Sequence, residues 1–116
     1  MGKDANRIRV IIKYCEKIED AIEEFGKKEE EFFENQFYHD VCSFYLSQIG
    51  ENSGFLSPEL KRRYSEVNWS DMTETRNTIA HGYDGMDLEI IWSSINKKIP
   101  SLKKTCEGIL KDMKRP

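Results

Sequence analysis

Apolar residues in this chain recur every three or four positions, and nowhere do they alternate in steps of two. Ile8, Ile11, Cys15, Ile18, Ile22 and Phe25 take such steps in succession. At about 3.6 residues per turn, positions spaced this way form one stripe along a helix. On a strand they would scatter over both faces. The spacing predicts a helix over about residues 4–25, with Asp4 as N-cap and Gly26 as stop. A chain patterned this way throughout buries helix against helix.

The same period continues downstream. A second helix is expected over Glu29–Ile49, with Phe33, Phe37, Val41, Phe44 or Tyr45, and Gln48 or Ile49 on its inner face. Its neighbouring aromatics, Phe32–Phe33, Phe37–Tyr38 and Phe44–Tyr45, point about 100° apart on a helix. One of each pair is therefore expected away from the main face. A wide core stripe and a self-association surface both account for the surplus.

Gly50-Glu51-Asn52-Ser53-Gly54 reads as a break. Ser57-Pro58-Glu59 starts a short third helix ending near Tyr64, with a hydroxyl cap and Pro at the first helical position. Trp69-Ser70-Asp71 starts a fourth, capped by Ser70 and ending near His81, with Gly82 as its left-handed closing residue. Asp87 caps a fifth, whose apolar positions are Leu88, Ile91, Trp92, Ile95, Ile99, Leu102, Cys106, Ile109 and Met113. Pro100 lies within that series, so this helix must kink or restart. The expectation is one all-α domain over residues 1–116, an antiparallel bundle of about five helices.

With 116 residues the chain has room for one modest core. Charged residues make up 34% and the net charge is −3, which argues against a protein that coats nucleic acid electrostatically. Lys61-Arg62-Arg63 is a local exception, either a cluster that tracks a phosphate backbone or a solvated helix face. No apolar run approaches the roughly 20 residues of a membrane span. Met1-Gly2-Lys3-Asp4 lacks the apolar core of a signal peptide, and Asn6 stands where a myristoylation signal prefers Ser or Thr. A cytoplasmic protein is expected. Cys15, Cys42 and Cys106, widely spaced at or beside apolar helical positions, read as reduced, buried thiols. His39 and His81 are the only histidines, and no spacing suggests a metal or cofactor site.

The chemistry gathers in residues 76–83, Arg-Asn-Thr-Ile-Ala-His-Gly-Tyr. Asn77 and His81 are four apart, so Asn77 can hydrogen-bond the imidazole and set its tautomer. Arg76 lies about 140° around the helix from His81. The two can converge if the helix ends at His81 and the arginine reaches towards it. Arginine offers a permanently charged, bidentate donor to phosphate, and histidine moves protons near neutral pH. RNA carries its own nucleophile, the 2′-hydroxyl. A base for that hydroxyl and a cation for the phosphorane suffice to cleave it, leaving a 2′,3′-cyclic phosphate and a 5′-hydroxyl. The structural alternative is a salt-bridged arginine and a capping histidine.

The segment resembles the R-x-x-x-x-H motif of the HEPN superfamily, in the R-x-x-x-x-H-x-Y form of HepT-like toxins. Ile49-Gly50-Glu51, Leu56-Ser57-Pro58-Glu59-Leu60, Trp69, Met72, Trp92 and Ile99-Pro100-Ser101-Leu102 follow that family's order and spacing, from about residue 7 to 112. The resemblance implies a helical bundle that forms a homodimer with its motifs facing across the two-fold axis. It implies metal-independent cleavage of RNA as the toxin of a type VII-like toxin–antitoxin pair. Arg76 and His81 match the family's catalytic pair, Asn77 the polar residue after the arginine, and Glu51 an acidic position. Tyr83 matches the tyrosine that an Mnt-type nucleotidyltransferase antitoxin modifies with AMP. Gly82 departs from the Asp often found between the histidine and the tyrosine. A non-catalytic reading, a helical nucleotide-binding or scaffold partner of a nucleotidyltransferase, uses the same residues to hold a phosphate.

Overall fold

The computed structural model describes residues 2–80 and 88–114. Along the chain run α1 (Gly2–Phe25), α2 (Glu29–Phe33), α3 (Gln36–Gly54), α4 (Pro58–Arg63), α5 (Trp69–Ala80), α6 (Leu88–Ser93), a π-helical turn (Ser94–Lys98) and α7 (Ile99–Met113). No strand occurs among the described residues, in keeping with the apolar period. Nor is any helix among them long and apolar enough to cross a membrane.

α1 lies between α3 and α7 and runs antiparallel to both. Its buried Ile8, Ile11, Cys15, Ile18 and Ala21 form the spine of the core. Burying each large aliphatic side chain contributes about 1.5–3 kcal/mol. Gly26 ends α1 at φ +127°, a conformation that side chains other than glycine strain to adopt. Arg7 meets Asn52 at one end of the α1–α3 contact, and Phe25 meets Phe37 and Tyr38 at the other. Glu19 and Lys103 pair at 2.7 Å across α1 and α7. α5 packs on the opposite flank of α3, and a 2.7 Å Lys98–Asp71 ion pair ties α5 to the π-helical turn.

The expected second helix is two helices. Asn35 interrupts it, because its side-chain oxygen accepts the Tyr38 N–H at 3.2 Å and caps α3. His39 Nε2 lies 2.6 Å from the Phe32 carbonyl oxygen at the end of α2, so this nitrogen carries the proton. The Tyr38 hydroxyl donates to the Gly26 carbonyl at 2.9 Å. The break resets the inner face to Tyr38, Cys42, Leu46 and Ile49. Phe37, expected inside, is 62% exposed, and of the alternatives Phe44 and Tyr45 it is Tyr45 that packs against the core while Phe44 is 54% exposed. Each aromatic pair does divide: Phe32 and Tyr38 are fully buried beside less buried Phe33 and Phe37, and Tyr45 is half-buried beside exposed Phe44.

α3 also continues to Gly54, through the expected break. The Ser53 hydroxyl and the Asn52 amide each donate to the carbonyl four residues back, at 2.8 Å, so these polar groups are satisfied within the helix.

Ser57 caps α4 as expected, its hydroxyl accepting the Leu60 N–H at 3.2 Å. Asp4 does not cap α1, which extends N-terminal to it. Instead its buried carboxylate accepts the Ser57 N–H at 2.9 Å and the Ser57 hydroxyl at 2.6 Å, joining the start of α1 to the start of α4. Ser57→Ala removes the cap and one partner of a buried carboxylate. It is expected to lower stability by about 1–3 kcal/mol, read as a lower urea midpoint at unchanged slope.

Asn68, rather than Ser70, caps α5, accepting the Asp71 N–H at 3.0 Å and the Ser70 hydroxyl at 2.9 Å. The expected cap Asp87 and closing residue Gly82 lie outside the described residues. Before Pro100 the helix widens rather than breaks: the Ile99 N–H reaches back five residues to the Ser94 carbonyl. That extra residue keeps Ile91, Ile95 and Ile99 facing the core. The three cysteines are free and buried. Burial pushes the Cys42 and Cys106 thiols up to about 12 and Cys15 higher still, so none is a ready nucleophile.

Candidate active site

The α3–α5 contact seats one of the sequence-predicted residues, Arg76. Gly50 is a point of tight approach. A Cβ there would overlap the Met72 carbonyl oxygen and the Arg76 Cβ. Gly54, one helical row further on, faces α5 as well, and a Cβ there would lie 3.6 Å from the Thr73 hydroxyl. The small row lets α5 lie against the α3 backbone, which fixes the stem of Arg76.

Arg76 is half-buried as a residue, and its guanidinium donates to Asn77 Oδ1 at 3.3 Å at the exposed surface. Among the described residues it forms no ion pair. The structural alternative, a salt-bridged arginine, therefore has no carboxylate partner among them. Glu51 follows Gly50 on α3, is half-buried, and likewise has no ion pair among the described residues. Asn77 is exposed on α5, one residue round from Arg76. A charged donor held with its hydrogen-bonding capacity largely unspent suits an anionic group such as a phosphodiester. His81 and Tyr83 lie outside the described residues. No three His, Cys, Asp or Glu side chains gather as a metal-ligand set among the described residues.

Sequence reasoning missed Gly50 as a positioning residue, because a glycine-rich stretch reads as a loop. The available signal was the four-residue spacing of Gly50 and Gly54, which on a helix forms a row for close helix approach.

The chain matches the family described as ribonuclease HepT-like over residues 11–109. It is 31% identical over 103 residues to a protein of Thermococcus cleftensis named "Probable ribonuclease HepT", covering 84% of this chain and 94% of that one. A Methanocaldococcus jannaschii protein, whose name pairs gamma-glutamylcyclotransferase with a provisional RNase assignment, is 28% identical over 115 residues. That alignment covers 97% of this chain, which spans 50% of the relative's length. A provisionally assigned RNase of Caldanaerobacter subterraneus is 36% identical over 69 residues, covering 60% of this chain and 62% of its own. No solved structure matches. The matched span includes the α3–α5 contact and the whole of residues 76–83, and by that match the chain belongs to the HepT-like ribonuclease family of the HEPN superfamily.

Proposed function

We propose that this protein is a metal-independent endoribonuclease, the toxin of a toxin–antitoxin pair. The observation that carries the reading is Arg76, pinned against Gly50 with no carboxylate partner among the described residues, five positions before His81. In this reading Arg76 binds the scissile phosphate through two parallel N–H donors and stabilises the charge that builds on the phosphorane. His81 accepts the proton of the 2′-hydroxyl as that oxygen attacks phosphorus. The bond to the 5′-oxygen breaks, and the leaving oxygen takes up a proton. Asn77 holds the arginine through the Oδ1 contact. Glu51, next to Gly50 on α3, is the supporting acidic residue of this reading.

The active unit in this proposal is a homodimer that places two such sites across its two-fold axis. A nucleotidyltransferase antitoxin silences it by transferring AMP to the Tyr83 hydroxyl. Product analysis tests the chemistry: purified protein is expected to yield 2′,3′-cyclic phosphate and 5′-hydroxyl ends from RNA in the presence of chelator. Products ending in 3′-hydroxyl, or cleavage equal to that of an Arg76→Ala, His81→Ala double variant, overturn it. Co-expression with an Mnt-type nucleotidyltransferase, followed by intact-mass measurement, is expected to show one AMP per chain in the wild type and none in Tyr83→Phe. Wild-type protein that binds nucleotide and never cleaves RNA would favour the non-catalytic partner reading instead.

A further inference from the structure

An acidic protein that acts on RNA must concentrate cations where the strand lies. At the C-terminal end of α3, a surface cavity of about 550 Å³ is lined by Lys3, Asn6, Arg7, Val10, Asn52 and Phe55. It has two cations and no carboxylate in its lining. The larger cleft between α5 and α7 differs, because Glu66 and Asp71 offset its Lys97 and Lys98, and Lys98 is already bridged to Asp71.

Phe55 is 61% exposed, although it closes a helix whose other face is core. The Arg7 guanidinium stands 4.6 Å from its ring centroid, covering one face. Asn52 Oδ1 accepts from that guanidinium at 3.1 Å, and the Asn52 amide is itself anchored on the Gln48 carbonyl. The arginine is thus held in place by a buried residue. Lys61, on α4, reaches the Gly54 carbonyl at 3.4 Å, one residue before Phe55 in the chain. Glu51 and Phe55 are one helical turn apart on α3.

We propose that Phe55, with Arg7 and Lys3 beside it in the cavity lining, is a single-stranded RNA subsite: a base stacks on the open face of the ring and the cations meet the flanking phosphates. Aromatic platforms framed by cations hold single strands without demanding a sequence. The proposal rests on the ribonuclease reading of Arg76 and adds to it a second, separate contact with the strand.

The test measures binding apart from cleavage, with fluorescein-labelled 2′-O-methyl hexanucleotides and dinucleotides whose nucleophile is blocked. Wild-type protein is expected to prefer the hexamer. Phe55→Ala is expected to weaken hexamer binding about tenfold, the effect of deleting one stacking platform, and Phe55→Trp to restore it. Arg7→Ala is expected to weaken binding and to flatten the salt dependence by about 0.7 in slope for each phosphate it no longer neutralises. Circular dichroism confirms the fold of each variant. Hexamer affinity unchanged in Phe55→Ala, or no preference for the hexamer in the wild type, overturns the subsite. Parallel assays on unmodified RNA separate the two ideas. Cleavage without Phe55 dependence leaves the Arg76 reading standing and removes the subsite. Phe55-dependent binding without cleavage keeps the platform and removes the chemistry.

Discussion

Arg76→Ala is expected to lower RNA cleavage by about 10²–10³-fold, the usual effect of removing one preorganised charge donor from a reacting phosphate or carbonyl. His81→Ala is expected to cost about 10²–10⁴-fold, the range for a positioned general base. Because the two groups act on one reaction step, the double variant should lose little more than the worse single one. Arg76→Lys separates charge from geometry: it keeps the cation and loses the planar fork, so it should recover only part of the rate. Urea unfolding of each variant guards against a trivial explanation. Arg76 has no ion pair among the described residues, so its truncation should leave the midpoint nearly unmoved. A large loss of stability with cleavage intact would instead make Arg76 a structural residue.

Gly50→Ala offers a sharper contest, because two physical effects oppose each other. Helix propensity alone predicts a gain of up to about 1 kcal/mol for glycine to alanine inside a helix. The close helix approach predicts the reverse. The new methyl would overlap the Met72 carbonyl oxygen and the Arg76 Cβ, neither of which is the free end of a flexible side chain. Overpacking of this kind costs about 1–3 kcal/mol, so a net loss of stability is expected. α5 must move away from α3, so cleavage should fall together with the urea midpoint. Gly54→Ala is the control. Its methyl would sit 3.6 Å from the Thr73 hydroxyl, an ordinary van der Waals distance, and stability should hold or rise slightly. A stabilised, fully active Gly50→Ala would show that the tight row does not position Arg76.

The two ends of α3 show what a single sequence conveys and what it hides. The α1 stripe was legible because four of its six side chains are buried in one continuous core and Ile22 and Phe25 pack against it, and a period of about 3.6 records such a face directly. The break at Asn35 was not, because its signal is a cap hydrogen bond in the midst of an aromatic run. The extension through Gly50–Gly54 was not, because glycine-rich sequence serves both loops and close helix packing. Which use applies depends on whether another helix lies alongside. Asp4 is the same case: its carboxylate is a plausible local cap until Ser57, far away in sequence, arrives to use it.

By itself, the sequence determined the helical class, the buried cysteines and the α4 cap at Ser57, because each is written in local spacing or in residue type. Only the tertiary structure decided that Gly50 is the seat of Arg76, that Phe37, Phe44 and Phe55 stand outside the core, and that Arg7 covers one face of the Phe55 ring. These are meetings between segments distant along the chain. Periodicity reports how much of a helix is buried; it does not record which neighbour buries it.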